Sequence, residues 1–194
     1  MKPALVVLAA GQSSRLGECK ALCEIGGDTV LANLLAAARG LDEVPPLIVT
    51  GAHHDAIAAS SPAGELCFNP DWEAGRSGGI RLARALRSGL ALCIAPVDVP
   101  CVPASVFEAL CERWQEAGAP PRGWLAPRFE DRHGHPIVIG AELLAELSGA
   151  DQPLSDLRRG AEPLLDVPVT SEAVLDDLDT PKDLERIRAR IAGR

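Results

Sequence analysis

The sequence contains no tyrosine, and aromatic residues make up only 3% of its 194 residues. A core must therefore come mostly from leucine, valine, isoleucine and alanine. Aromatic platforms for stacking exposed bases are not to be expected. Lysine is also scarce: Lys2, Lys20 and Lys182 stand among 19 basic residues, against 27 acidic ones, for a net charge of −8. That balance opposes nonspecific binding to nucleic acid or an anionic membrane. A small anionic ligand would need cations gathered locally. Zinc-type cysteine spacing is missing. Cys19, Cys23, Cys67, Cys93, Cys101 and Cys111 form no Cys-x-x-Cys pair, and several lie in apolar runs, where a thiol acts as a small hydrophobe. No stretch approaches the ~20 apolar residues of a membrane span. The apolar run after Met1 is short and leads straight into a glycine loop, unlike a secretion signal. A reduced, cytoplasmic setting is expected.

What is present is an alternation. Short apolar runs at 4–9, 46–50, 65–68 and 90–95 read as strands. Between them, 29–39 carries apolar residues at 30, 31, 34, 35 and 38, a helical face, with Asp28 as expected N-cap and Gly40 just past the end. Residues 77–87 and 103–117 also read as helices, and His53 and His54 open another, without an assigned role. Two further strands are expected at 123–129 and 136–139, around the charged turn "EDRHGH", and short helices at 142–147 and 154–159. Thr180 and Pro181 fit the start of a final helix whose apolar face is Leu184, Ile187 and Ile191. This βαβα order predicts an α/β fold: a three-layer, Rossmann-like, open and mainly parallel sheet, with residues 1–194 as one domain. Ligands in such sheets bind at the carboxyl ends of the strands.

The first such end carries "LAAGQSSRLGECK" at 8–20. It is neither a Walker A loop nor a Gly-x-Gly-x-x-Gly fingerprint, but the physics is shared. Small residues at Ala9, Ala10, Gly11 and Ser13 let backbone N–H groups approach an anion. Arg15 can fork onto phosphate oxygens, and Lys20, one of three lysines, adds a compact charge. Asp98 follows the apolar run at 90–95 between Pro96 and Pro100, a carboxylate on a stiff turn. Mg²⁺ is usually held by one or two carboxylates plus substrate phosphates. Asp177 and Asp179, just before the final helix, could equally serve its N-terminal dipole. His133 and His135 could pair on a metal, but no cysteine completes a set, and phosphate chemistry favours Mg²⁺.

Together these segments resemble the α/β nucleotidyltransferases, above all the molybdenum cofactor nucleotidyltransferases. Leu-Ala-Ala-Gly-x-Ser-x-Arg-x-Gly-x-x-Lys at 8–20 resembles the family signature, and "NPDWEAGRSGGI" at 69–80 its nucleotide-enclosing Asn-x-x-Trp-x-x-Gly segment. "PVDVP" at 96–100 is similar to its Asp-x-Pro metal motif, "GHP" at 134–136 to its Gly-His-Pro, and "DDLDTPKDL" at 176–184 to its Asp-Ile-Asp-Thr-Pro-x-Asp-Leu. The resemblance implies a nucleotide site at Leu8, Ala9, Ala10, Gly11, Ser13, Arg15, Lys20, Asn69, Gly75 and Ser77. It implies Mg²⁺ on Asp98 and on one of Asp177 and Asp179, Asp177 preferred, and acceptor binding at His135. Arg15, Lys20 and Asp98 are the expected catalytic residues.

The implied reaction moves CMP or GMP from a nucleoside triphosphate to the phosphate of molybdopterin and releases pyrophosphate. A molybdoenzyme is the implied onward partner. Leu-Ala-Ala-Gly is the form associated with cytidylyl transfer, so Ala10 favours CTP. The chain also departs from the pattern: Gly78 and Gly79 stand where further serines are usual, and "GADQPLSDLRRG" at 149–160 lacks the usual Gly-x-Arg near the acceptor. Transfer to a sugar or alditol phosphate, or noncatalytic handling of nucleotide and pterin, are the competing readings.

Overall fold

The computed structural model describes residues 1–41, 43–149 and 152–193. In chain order they form β1 (Ala4–Ala9), a small hairpin of β2 (Glu24–Ile25) and β3 (Asp28–Thr29), α1 (Val30–Ala37), β4 (Leu47–Thr50), α2 (His54–Ala59), β5 (Glu65–Phe68), α3 (Arg76–Leu86), β6 (Leu92–Pro96) and α4 (Ala104–Glu116). Then come β7 (Trp124–Phe129), β8 (Arg132–His133), β9 (Ile137–Ile139), α5 (Ala141–Ala145), α6 (Leu154–Arg159), β10 (Leu164–Pro168) and α7 (Pro181–Ala192).

The main sheet runs β10-β7-β9-β6-β1-β4-β5, with β8 paired to β7. β1 lies parallel to both β4 and β6, so Val6 faces Leu47 on one side and Ile94 on the other. β9 is antiparallel to β6 and β7, and β10 is parallel to β7. The sheet is thus mainly parallel and open, as the βαβα pattern predicts.

Side chains of a strand alternate between the two faces of a sheet. Leu5 and Val7 pack on one face with Leu31 and Leu34 of α1, Phe107, Leu110 and Trp114 of α4, and Ile187 of α7. Ala4 and Val6 pack on the other with Ile80 and Ala83 of α3, Leu143 and Leu144 of α5, and Leu157 of α6. These are the three layers. Each fully buried leucine, isoleucine or phenylalanine contributes about 1.5–3 kcal/mol, which suits a core with few aromatic rings.

Some local expectations shift. Thr29, not Asp28, caps α1: its hydroxyl accepts from the Ala32 N–H, while Asp28 pairs with Ile25 in the hairpin. Gly40 lies inside a 3₁₀ turn, Arg39–Leu41, rather than ending the helix. Thr180 and Pro181 do start α7, in a capping box with Asp183. None of the six cysteines is in a disulfide. Among the described residues, no helix is long and apolar enough to cross a membrane.

The chain reverses direction across the sheet at β1. It proceeds from β1 to β4 and β5, then returns through α3 to β6 on the other flank of β1. The crevice at the carboxyl ends of β1 and β6 is where open α/β sheets place ligands.

Candidate active site

The loop after β1 is shaped by its own backbone. The Ser13 carbonyl accepts from the N–H groups of Leu16 and Gly17, at 3.1 and 3.0 Å. Ser13 itself adopts the left-handed region at φ 55°, and Gly17 sits at φ 85°, where a side chain would be strained. The Ser13 hydroxyl accepts from the Lys20 N–H at 3.3 Å, so the same residue also sets where Lys20 leaves the loop. From behind, the Ala10 carbonyl accepts from Ala52 N–H, and His53 Nε2 lies 2.8 Å from the Gln12 carbonyl. His53, which the sequence left without a role, braces the loop.

A cavity of about 320 Å³ opens above this loop. Of the residues singled out in the sequence, Leu8, Ala9, Ala10, Gly11, Ser13, Arg15, Lys20, Asn69, Gly75, Asp98 and Asp177 all line it, and so does Asp179. Arg15 and Lys20 do not stand free: each reaches an oxygen of Asp179, both at 2.6 Å. The Lys20 hydrogen bond holds the Asp179 carboxyl below its ordinary range, with Arg15 adding to the effect. Asp177 is the opposite case, pushed up by burial and by the negative charges of Asp179 and Asp98. Asp98 accepts from Arg76 at 2.6 Å through Oδ2, while its other carboxylate oxygen, Oδ1, is buried without a partner. The Asp98 carbonyl accepts from Leu178 N–H at 2.8 Å, which stitches the two acidic segments side by side.

Two more features face the cavity. Asn69 is 2% exposed; its side-chain oxygen accepts from Asp71 N–H, but its Nδ2 has no partner. A buried donor left unpaired costs about 1–3 kcal/mol, so this amide is poised for a group that the protein does not supply. The eleven-residue α3 begins without any side-chain cap, and Gly75, Arg76 and Gly79 at its start line the cavity. Its unpaired N–H groups and dipole favour an anion there.

Ser77 and His135 lie elsewhere. The Ser77 hydroxyl donates to the Gln152 carbonyl at 2.5 Å, and the residue is buried. His135 lines a second cavity of about 310 Å³, and Arg76 stands in the walls of both. Burial holds the His135 imidazole below its usual range, against a smaller opposing pull from Asp98. His133 Nε2 lies 2.7 Å from Asp166. The divergent stretch 149–160 supplies α6 to this second cavity, with Ala150 and Asp151 outside the described residues.

Gly134 explains the Gly-His-Pro turn. A Cβ there would stand 2.2 Å from the Val174 carbonyl oxygen, which itself accepts from His135 N–H at 2.9 Å. Gly134→Ala is expected to lower stability by about 1–3 kcal/mol through overpacking. Urea denaturation measures this; an unchanged midpoint would show that the turn and residues 172–175 separate without cost.

Among the described residues, no group of three or more His, Cys, Asp or Glu side chains is placed to hold a metal unaided. The orphaned Asp98 oxygen and the nearby Asp177 carboxylate nevertheless fit an ion such as Mg²⁺, which needs only one or two carboxylates once substrate phosphates complete its shell.

Comparison with known proteins follows the same line. The family described as "MobA-like NTP transferase domain" matches residues 5–170. No curated protein matches the sequence. Among solved structures, Rv0371c of Mycobacterium tuberculosis H37Rv is 25% identical, with a TM-score of 0.81, covering 97% of this chain and 98% of that one. The same protein in complex with manganese gives 23% identity and 0.77, over 97% and 99%. Molybdopterin-guanine dinucleotide biosynthesis protein A of Archaeoglobus fulgidus is 20% identical, TM-score 0.74, over 98% and 100%. 2-C-methyl-D-erythritol 4-phosphate cytidylyltransferase of Thermus thermophilus is 19% identical, TM-score 0.70, over 99% and 100%.

Proposed function

The chain belongs to the MobA-like NTP transferase domain family, and we propose that it transfers CMP from CTP to the terminal phosphate of molybdopterin, with Mg²⁺ and release of pyrophosphate. One observation carries this reading: Arg15, Lys20, Asp98, Asp177 and the unpaired Asn69 amide converge on one cavity at the carboxyl ends of the strands. On this reading residues 1–194 act as one cytoplasmic domain, and the product passes to a molybdoenzyme.

The chemistry asks little of a base. A phosphomonoester has a second pKa of ~6 and is mostly dianionic at pH 7. Its oxygen attacks the α-phosphorus, the bond to the α,β-bridging oxygen breaks, and pyrophosphate leaves with that electron pair. Catalysis then consists of positioning and charge stabilisation. Arg15 and Lys20 exchange the Asp179 carboxylate for phosphate oxygens. Loop amides and the start of α3 take further phosphate charge, and Asn69 Nδ2 donates to the nucleotide. Asp98 and Asp177 would hold a divalent metal, which would supply neutralisation of charge on the phosphates. Arg76 gives up Asp98 and turns to the incoming acceptor phosphate. A noncatalytic binder could dispense with a metal carboxylate at Asp98.

Ala10 sets the nucleotide. Its methyl group stands where guanylyl relatives often have glycine, and it obstructs a purine more than a cytosine. Discrimination by shape is worth about 10–200-fold. CTP is therefore expected to exceed GTP in kcat/KM by that order, with Ala10→Gly narrowing the gap. A thermal-shift screen of triphosphates with Mg²⁺, followed by kinetics on the two best, tests this. Equal kcat/KM values would remove the cytidylyl label and leave nucleotidyl transfer standing.

A further inference from the structure

Arg76 stands where the fold disfavours it. It is the first residue of α3, and that helix begins with no side-chain cap and no acidic residue in its first turn. Such an end favours negative charge, so a cation there works against the helix dipole. Among the described residues its guanidinium has one side-chain partner, Asp98 Oδ2 at 2.6 Å. The two partners are unequal. The Arg76 side chain is 58% exposed and the Asp98 side chain 17%, so little holds the arginine in place. The pair is also incomplete, since Asp98 Oδ1 stays buried without a partner. Asp179, by contrast, is served at both oxygens, by Arg15 and Lys20. Of the two cavities, Asp98 lines the first alone, whereas Arg76 lines both. The arginine therefore has another place to go.

We propose that Arg76 is a displaceable counter-ion: it occupies the Asp98 carboxylate until nucleotide phosphate draws it off, and so makes metal binding conditional on nucleotide. The guanidinium and a divalent cation compete for the same carboxylate. Phosphate at the start of α3 offers the guanidinium a charged partner, which releases Asp98. The coupling is reciprocal: whatever nucleotide adds to metal affinity, metal adds to nucleotide affinity. This rests on the nucleotidyl-transfer reading above. In this role Arg76 acts on the metal only through Asp98.

The test uses the full chain and Mn²⁺ alone, titrated without nucleotide and followed by electron paramagnetic resonance of the free ion. Arg76→Gln should tighten Mn²⁺ binding by about three- to fivefold, the scale of an ion pair with one exposed partner. A merely structural residue would weaken binding or leave it unchanged. Arg76→Lys keeps the charge and should stay nearer the wild type. Arg15→Gln removes the same charge from the same cavity but is paired with Asp179, and should stay within about twofold. Affinity for the preformed complex of Mn²⁺ with α,β-methylene-CTP, measured by calorimetry, should not rise in Arg76→Gln, because there the guanidinium has already left Asp98. Both arginines are exposed, so these variants stay folded and readable. Unchanged or weaker Mn²⁺ binding in Arg76→Gln, an equal gain in Arg15→Gln, an equal gain for the Mn²⁺–analogue complex, or no Mn²⁺ binding by any of these proteins overturns the proposal. Failure of the wild type to bind the complex, with the Arg76→Gln gain for Mn²⁺ alone intact, overturns the nucleotidyl-transfer reading and leaves the competition at Asp98 standing.

Discussion

Lys20→Ala is expected to lower kcat by about 100- to 1000-fold, the usual loss when one preorganised charge-stabilising donor is removed, while the protein stays folded. The Lys20 side chain is only 13% exposed and its ammonium lies 2.6 Å from Asp179, in a cavity where charge counts for more than in water. Among the described residues it is the only lysine that lines this cavity. The loop itself does not depend on that side chain, because Lys20 is tied to Ser13 through its backbone N–H. Asp179 also keeps Arg15 as a partner. Circular dichroism and the thermal midpoint should therefore stay near wild type as turnover falls. Near-wild-type kcat in a folded Lys20→Ala variant would remove the loop from the catalytic machinery.

The second large effect belongs to Asp98. Asp98→Asn keeps the shape and can still accept from Arg76, but it removes the negative charge beside the buried Oδ1. A divalent ion supplies several kcal/mol of charge stabilisation, and each 1.4 kcal/mol is about tenfold in rate. A fall in kcat/KM of at least about 100-fold is expected, with weaker Mn²⁺ binding by titration and only partial rescue by excess Mg²⁺. Activity indifferent to both EDTA and this substitution would reduce Asp98 to a turn residue.

The parallel half of the sheet was legible because each strand end is followed by a loop whose composition states its purpose. Runs of Val, Leu and Ile gave β1, β4 and β6, and the loop residues after β1 line the predicted cavity. β10 was not read, because Leu165 and Val167 turn inward while the equally apolar Leu164 is exposed, so its five residues show no clean apolar–polar alternation in sequence. The hairpin of β2 and β3 has two residues a strand, too few for any period. It displaced the helix cap from Asp28 to Thr29.

In the site, residue types were readable and pairings were not. Nothing local to Arg15 or Lys20 announces Asp179, which lies about 160 residues away and takes both cations. The same contact separates the two carboxylates that the sequence left as alternatives: Asp179 is clasped by cations, while among the described residues Asp177 makes no ion pair and feels the negative charges of Asp179 and Asp98. His53 gave no signal, since a histidine serving a loop carbonyl carries no motif. Gly134 matched a motif whose reason, contact with the Val174 carbonyl, appears only in three dimensions.

The most direct measurement of nucleotidyl transfer is isotopic. The protein, Mg²⁺ and molybdopterin are incubated with CTP labelled at the α-phosphorus, and labelled product and pyrophosphate are both counted. The account predicts label in a cytidylyl-phosphate diester, formed one-to-one with pyrophosphate and abolished by EDTA. Label recovered only in unchanged CTP, with nucleotide bound but no pyrophosphate formed, would contradict it.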